Sequence, residues 1–298
     1  MALGIGAASA PAQTPRCYGA ASRDPELRCS NPALRYRVTP SPDAALLQPQ
    51  SPCDPWEHQE MVCTFGTPAE VAKGTIALLG DSHAQMYRAT VAAVTEAHDL
   101  LAWSVAKPGC EFSMSQEDVP EARRSDCVAF NDAVVKFVAD RPAITTVFVA
   151  EKNRAGIQTS PDGTATDEQR IQGFADMWDR LPPTVTRVIV LRDPFHQRTS
   201  TPDCVTEAHR RRHNAGVVCA LPRAETLAPD PAVIAAGRPH RAGLTVDAVD
   251  FTPFMCGAMR CFPVVGGVLV HRDLDHLTRA FSTTLGPYLV RAFDRLTD

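Results

Sequence analysis

Ser82 follows Gly80-Asp81 and precedes His83, while Asp273 and His276 stand together near the other end of the chain. These residue types suit nucleophilic acyl chemistry. A serine hydroxyl is a weak nucleophile until an imidazole takes its proton, and the imidazole needs a carboxylate to fix its tautomer and stabilise its cation. The order Ser, Asp, His is one of several that build this geometry, because such a triad is defined by roles rather than chain order. Asp275 is a rival for the acid. Each motif also has a plainer reading. Asp81-Ser82 makes a good helix cap, and His276 can be a helix-start histidine beside capping aspartates. The two motifs fall in the order the chemistry needs, and that favours the chemical reading.

The elements that must position these residues are legible around them. Thr75–Leu79 is a short apolar run that breaks at Gly80, so Ser82 is expected at the carboxyl end of a buried strand, where open α/β sheets hold ligands. The alanine-rich segment after Ser82 has helical composition and spacing, which places the serine at a helix N-terminus with free N–H groups nearby. Further strands are expected at Leu101–Ala106, Thr145–Ala150, Arg187–Leu191 and Thr245–Val249. Helices are expected at Cys127–Asp140, Asp167–Leu181 and Thr278–Leu296. Strand and helix in alternation imply right-handed crossovers and a parallel sheet covered on both faces. Thr199–Arg241 interrupts the rhythm and reads as an insertion with a short helix near Val205–Asn214, and Gly266-Gly267 as a turn feeding the strand Val268–Val270. Residues 1–72 are rich in Pro, Ser, Ala and Gln and read as an irregular extension, leaving residues 73–298 as the catalytic domain. Trp103, Trp178 and Phe254 read as core residues rather than sugar-stacking ones.

The 298 residues carry a net charge of −4, which argues against nucleic acid as a partner. No stretch reaches the roughly 18–20 apolar residues of a membrane span. The start, Met1 to Ala10, is small and apolar without a basic region, a poor signal peptide. Ten cysteines fall as sequence neighbours: Cys17 and Cys29, Cys53 and Cys63, Cys110 and Cys127, Cys204 and Cys219, Cys256 and Cys261. An even number in loop-rich sequence suggests disulfides and an oxidising compartment, although spacing does not fix connectivity. There is no C-x-x-C pair or zinc-finger histidine spacing, so neither metal nor any other cofactor is expected. Disulfides without an export signal are reconciled if the chain is the soluble part of a larger membrane protein.

The Gly80-Asp81-Ser82-His83 block and the late Asp273-x-x-His276 block resemble the SGNH/GDSL hydrolase superfamily. The tail from Val249 through Cys256, Cys261 and Gly266-Gly267 to Thr278 is similar, more narrowly, to extracytoplasmic SGNH domains fused to acyltransferase-3 membrane proteins, which O-acylate cell-envelope glycans. The resemblance implies a three-layer α/β/α sandwich, SGNH/flavodoxin-like, with a mainly parallel sheet of about five strands. It implies Ser82 as nucleophile, His276 as base, Asp273 as its partner, and an oxyanion hole from the Ser82 N–H, Gly109 and Asn153. Asn153 sits in Glu151-Lys152-Asn153-Arg154 rather than in a G-x-N-D block, a departure that leaves the hole partly specified. Asp81, His83, Lys152 and Arg154 are candidates for substrate contact. The implied donor is an acyl group, acetyl by default, passed from an upstream acyltransferase-3 membrane domain. The implied acceptor is a carbohydrate or glycolipid on the periplasmic or cell-surface side. A secreted carbohydrate esterase and a non-catalytic glycan-binding module remain the alternatives.

Overall fold

The computed structural model describes residues 14–27, 29–56, 59–115, 120–153 and 167–298. Helix α1 (Pro42–Leu47) precedes strands β1 (Asp54–Trp56) and β2 (Gln59–Gly66). Strand and helix then alternate through β3 (Gly74–Gly80), α2 (Ser82–His98), β4 (Leu100–Ala106), α3 (Glu121–Ala139), β5 (Ile144–Ala150), α4 (Asp167–Asp179) and β6 (Arg187–Leu191). Short pieces follow: α5 (Thr201–Arg210), α6 (Ala215–Val218), β7 (Leu221–Pro222), α7 (Arg223–Thr226) and α8 (Pro231–Ala236). The chain closes with β8 (Thr245–Val249), α9 (Thr252–Met255), β9 (Arg260–Cys261), the hairpin β10 (Val264–Val265) and β11 (Val268–Leu269), and α10 (Arg279–Thr297).

The central sheet has seven strands in the order β1-β2-β4-β3-β5-β6-β8. Strands β4, β3, β5, β6 and β8 are mutually parallel, whereas β2 pairs antiparallel with β4 and β1 antiparallel with β2. The parallel part is a doubly wound sheet whose strand order reverses at β3, the position where such sheets open a ligand crevice at their carboxyl edge.

The two extra strands lie in the segment expected to be irregular. Val62 to Gly66 of β2 pair with Leu101 to Val105 of β4, so residues on both sides of position 72 share one sheet. Proline-rich flanks conceal this edge in the sequence, and the antiparallel pairing needs no helical crossover to announce it. The insertion likewise carries more order than one helix, with α5 to α8 and β7 in it.

Alternation along β3 divides the core. Ile76 and Leu78 pack on one face with Val91 and Val94 of α2 and Phe281, Leu285 and Leu289 of α10. Ala77 and Leu79 pack on the other with Val134 and Val138 of α3, Phe174 and Trp178 of α4, and Ala232 and Ala235 of α8. Each buried Leu or Phe contributes about 1.5–3 kcal/mol. Trp103 and Phe254 are also buried in these layers.

Two packing details bring residues 82 and 276 together. Helices α2 and α10 run side by side in the same direction. Ser282 Oγ donates to the Met86 carbonyl at 2.6 Å, and the hydroxyls of Thr90 and Ser282 lie 2.9 Å apart. At the far end, His98 Nε2 meets Asp294 Oδ1 at 2.9 Å. Gly286 permits the approach, since a Cβ there would stand 2.6 Å from the Ala93 Cβ. With parallel axes, the residues just before α10 sit beside the start of α2.

The ten cysteines form five disulfides: Cys17–Cys29, Cys53–Cys63, Cys110–Cys127, Cys204–Cys219 and Cys256–Cys261. Each closes a short loop and constrains the unfolded chain by about 2–4 kcal/mol. Among the described residues, no helix is long and apolar enough to cross a membrane.

Candidate active site

The turn from β3 into α2 is built for close approach. Gly80 has φ +140°, and a Cβ there would lie 2.2 Å from the Ala150 carbonyl oxygen, so only glycine fits. Asp81 caps α2, its Oδ1 accepting from the His83 N–H at 2.7 Å and its Oδ2 from the Lys152 N–H at 3.2 Å. Expected at the substrate, Asp81 is instead 2% exposed with both oxygens committed to backbone. It pins the ends of two neighbouring strands, and burial pushes its pKa up.

Ser82 is half-buried, and its Oγ lies 2.8 Å from His276 Nε2. Two carboxylates face the other nitrogen of that ring. Both Asp273 oxygens lie 3.0 Å from Nδ1, and Asp275 Oδ1 lies at 3.1 Å. The rivals differ in what else they hold. Asp273 Oδ1 also accepts the N–H groups of Asp275 and His276, at 3.1 and 2.8 Å, so a backbone turn fixes it. Asp275 forms an ion pair with Lys152, which partly neutralises it. Burial alone would depress the His276 pKa. The hydrogen bonds to Asp273 and Asp275 outweigh burial and raise it to about 9. Reciprocally, burial would raise both carboxyls, but their bonds to His276 hold them low.

Behind His276 lies a second imidazole. His83 is fully buried, its ring centroid 4.8 Å from that of His276. Its Nδ1 is 2.5 Å from Asp193 Oδ1, and its Nε2 has no hydrogen-bond partner. Asp193 Oδ2 also takes His196 Nε2 at 2.9 Å and the Asn153 N–H at 3.2 Å. Burial opposes charge on Asp193, yet the two imidazoles hold its pKa well below the usual range. His83 is raised although burial works against its charge, because Asp193 overrides. Asp230, at the start of α8, accepts the Asp193 N–H at 2.9 Å. Burial, then repulsion from Asp193, pushes Asp230 up to about 6.

Of the remaining expected residues, Gly109 and Asn153 stand just beyond Ala106 and Ala150, the residues paired with Gly80 on either side. The Asn153 backbone is fixed on both sides, its carbonyl accepting from Arg170 Nη1 at 2.5 Å. Its side-chain Oδ1 is buried and unpartnered. The Gly109 carbonyl accepts from Arg123 at 3.2 Å. Lys152, a candidate for substrate contact, forms an ion pair with Asp275. His83, expected to line the pocket, is sealed from solvent by its burial against Asp193 and His276. Arg154 lies outside the described residues.

Sequence reasoning missed the group that fixes this floor: Asp193, His196 and Asp230, with the buried ion pair of Arg170 and Glu111 at 2.8 Å and the buried acid Glu151. Asp193-Pro194-Phe195-His196 directly follows β6, and polar residues at a strand's carboxyl end were the available signal. A cavity of about 480 Å³, lined by Arg23, Asn31, Arg35 and Phe262 among others, includes none of the residues around Ser82.

Residues 49–291 match the family model for the SGNH domain fused to AT3 domains. The chain belongs to this family. The SGNH domain is also similar in structure to the periplasmic domain of a lipopolysaccharide acetyltransferase from Salmonella ser. Paratyphi A. That likeness has a TM-score of 0.52 at 12% sequence identity, covering 75% of this chain and 84% of that one. At such identity it shows the shared fold. No curated protein sequence matches this SGNH domain. The matched span begins well before position 73, consistent with β1 and β2 belonging to the sheet.

Proposed function

We propose that the chain is a serine-dependent O-acyltransferase domain with esterase capacity, working through Ser82, His276 and Asp273. One observation carries the reading: Ser82 Oγ lies 2.8 Å from His276 Nε2 while Asp273 occupies Nδ1. Ser82 Oγ attacks the carbonyl carbon of an acyl donor as its proton passes to His276 Nε2. The tetrahedral oxyanion meets the Ser82 N–H, with Gly109 and Asn153 as the flanking donors; losing one such donor commonly raises the barrier by about 2.7–4 kcal/mol. Collapse breaks the bond to the leaving group, which takes the proton from His276 and leaves an acyl-serine. An acceptor hydroxyl then gives its proton to His276 and attacks the acyl carbon, and collapse breaks the bond to Ser82 Oγ, which takes that proton back from His276. With water as acceptor the same steps are ester hydrolysis.

Membership in a family fused to AT3 domains supports a donor handed over by a membrane acyltransferase-3 partner. The periplasmic, lipopolysaccharide-acetylating neighbour and the five disulfides support an extracytoplasmic site, an acetyl group and a carbohydrate or glycolipid acceptor. The test is release of p-nitrophenol from p-nitrophenyl acetate by the wild-type domain and by Ser82→Ala. The expected result is turnover in the wild type and a loss of about 10⁴-fold or more in the variant, with unchanged circular dichroism. Equal rates in both overturn the reading.

A further inference from the structure

We propose that His83, His276 and Asp275 form a binding site for a divalent transition-metal cation, Zn²⁺ foremost, and that filling it stops the reaction proposed above. One ligand atom from each of the three residues lies within 4.8 Å of the others. Two imidazoles and one carboxylate are a ligand set suited to zinc, with a fourth position left for water. Tetrahedral ligands at Zn distances sit about 3.3 Å apart, so the three atoms, now within 4.8 Å of one another, must close by up to about 1.5 Å.

The two histidines are prepared unequally. His83 Nδ1 is held by the buried Asp193 carboxylate, and Nε2 is left in the interior with no partner. A carboxylate on one ring nitrogen with the other presented is the arrangement metal-bound histidines adopt, because it fixes ring orientation and strengthens the ligand. An unpartnered buried polar nitrogen is otherwise costly. His276 differs: its Nε2 meets Ser82, and its Nδ1 meets both Asp273 and Asp275. Asp275 touches His276 and is shared with Lys152, which a cation must displace. A metal on either nitrogen of His276 leaves the ring unable to accept the Ser82 proton, because the other nitrogen of the neutral ring then carries its hydrogen, so occupancy and turnover exclude each other. That consequence rests on the proposed role of His276; the binding does not. All ten cysteines are in disulfides and offer no competing thiolate.

The experiment is titration of the folded, untagged domain with Zn²⁺ against a chromophoric chelator, beside p-nitrophenyl acetate turnover at the same free Zn²⁺. One equivalent is expected to bind, turnover is expected to fall as the site fills, and a stronger chelator should restore it. His83→Gln and Asp275→Asn should each weaken binding about tenfold or more. Lys152→Met, which frees Asp275, should tighten it. Substitution of the exposed His213 by Ala should change nothing, and Mg²⁺ should not compete. Asp275→Asn and Lys152→Met decide the matter if His83→Gln does not fold. Absence of a stoichiometric site, or binding that none of these variants alters, overturns the proposal. Zinc bound in the expected pattern with turnover unchanged overturns the inhibition. Repeating the titration on Ser82→Ala separates the two readings, since that variant should still bind zinc even if Ser82 proves not to be the nucleophile.

Discussion

Two carboxylate–imidazole assemblies stand back to back in this domain. In one, Asp273 and Asp275 hold His276, whose free nitrogen meets the half-buried Ser82 hydroxyl. In the other, Asp193 holds His83 and His196 with no solvent access to its carboxylate. The chemical groups are the same, and the surroundings assign different work. The first has a hydroxyl to deprotonate and an opening to solvent. The second has a fully desolvated carboxylate that must be paired to exist, so it fixes Asn153, His83 and the loop after β6. Exposure and what the second nitrogen meets, rather than the Asp–His pair itself, separate a candidate catalyst from a support.

The sharpest attempt to break this contrast is a pair of isosteric changes. Asp273→Asn should lower turnover of p-nitrophenyl acetate by about 10³–10⁴-fold and leave the unfolding midpoint nearly unchanged, since the amide holds the wrong tautomer. Asp193→Asn should do the reverse in kind. It leaves two buried imidazoles without their counter-charge, and stability in urea should fall by about 3–5 kcal/mol. If Asp193→Asn leaves stability intact and abolishes turnover in folded protein, the division of labour drawn here is wrong.

A smaller effect distinguishes the two acids on His276. Burial lowers its pKa and the two carboxylates raise it to about 9, above the ordinary value near 6.5. A protonated imidazole cannot accept the serine proton, so kcat/KM should climb with pH and level off above about 9. Asp275→Asn removes one carboxylate and should move that profile toward lower pH, with a plateau change below about tenfold. An unmoved profile would mean that Asp275 serves Lys152 alone. The same shift has a stability counterpart: the contribution of charged His276 is complete below about 6.5 and is lost as pH rises through about 9.

Much of this was legible in the chain. The parallel strands, the helix after Ser82 and the last helix are local patterns of apolar spacing, so periodicity reveals them. The edge strands β1 and β2 were hidden because their order comes from pairing with β4, not from their own proline-rich surroundings. The partners of Asp81 and Lys152 were hidden for a related reason. A carboxylate beside a serine looks the same in sequence whether it faces substrate or two backbone amides.

By itself, the sequence determined which groups are chemically able to react, Ser82, His276 and Asp273, and which local elements carry them, because residue type and short-range periodicity are properties of the chain. Only the tertiary structure decided that α2 and α10 run in parallel and so set residues 82 and 276 at 2.8 Å. It alone also decided that a second Asp–His assembly is sealed behind them, since burial and long-range approach depend on how layers pack.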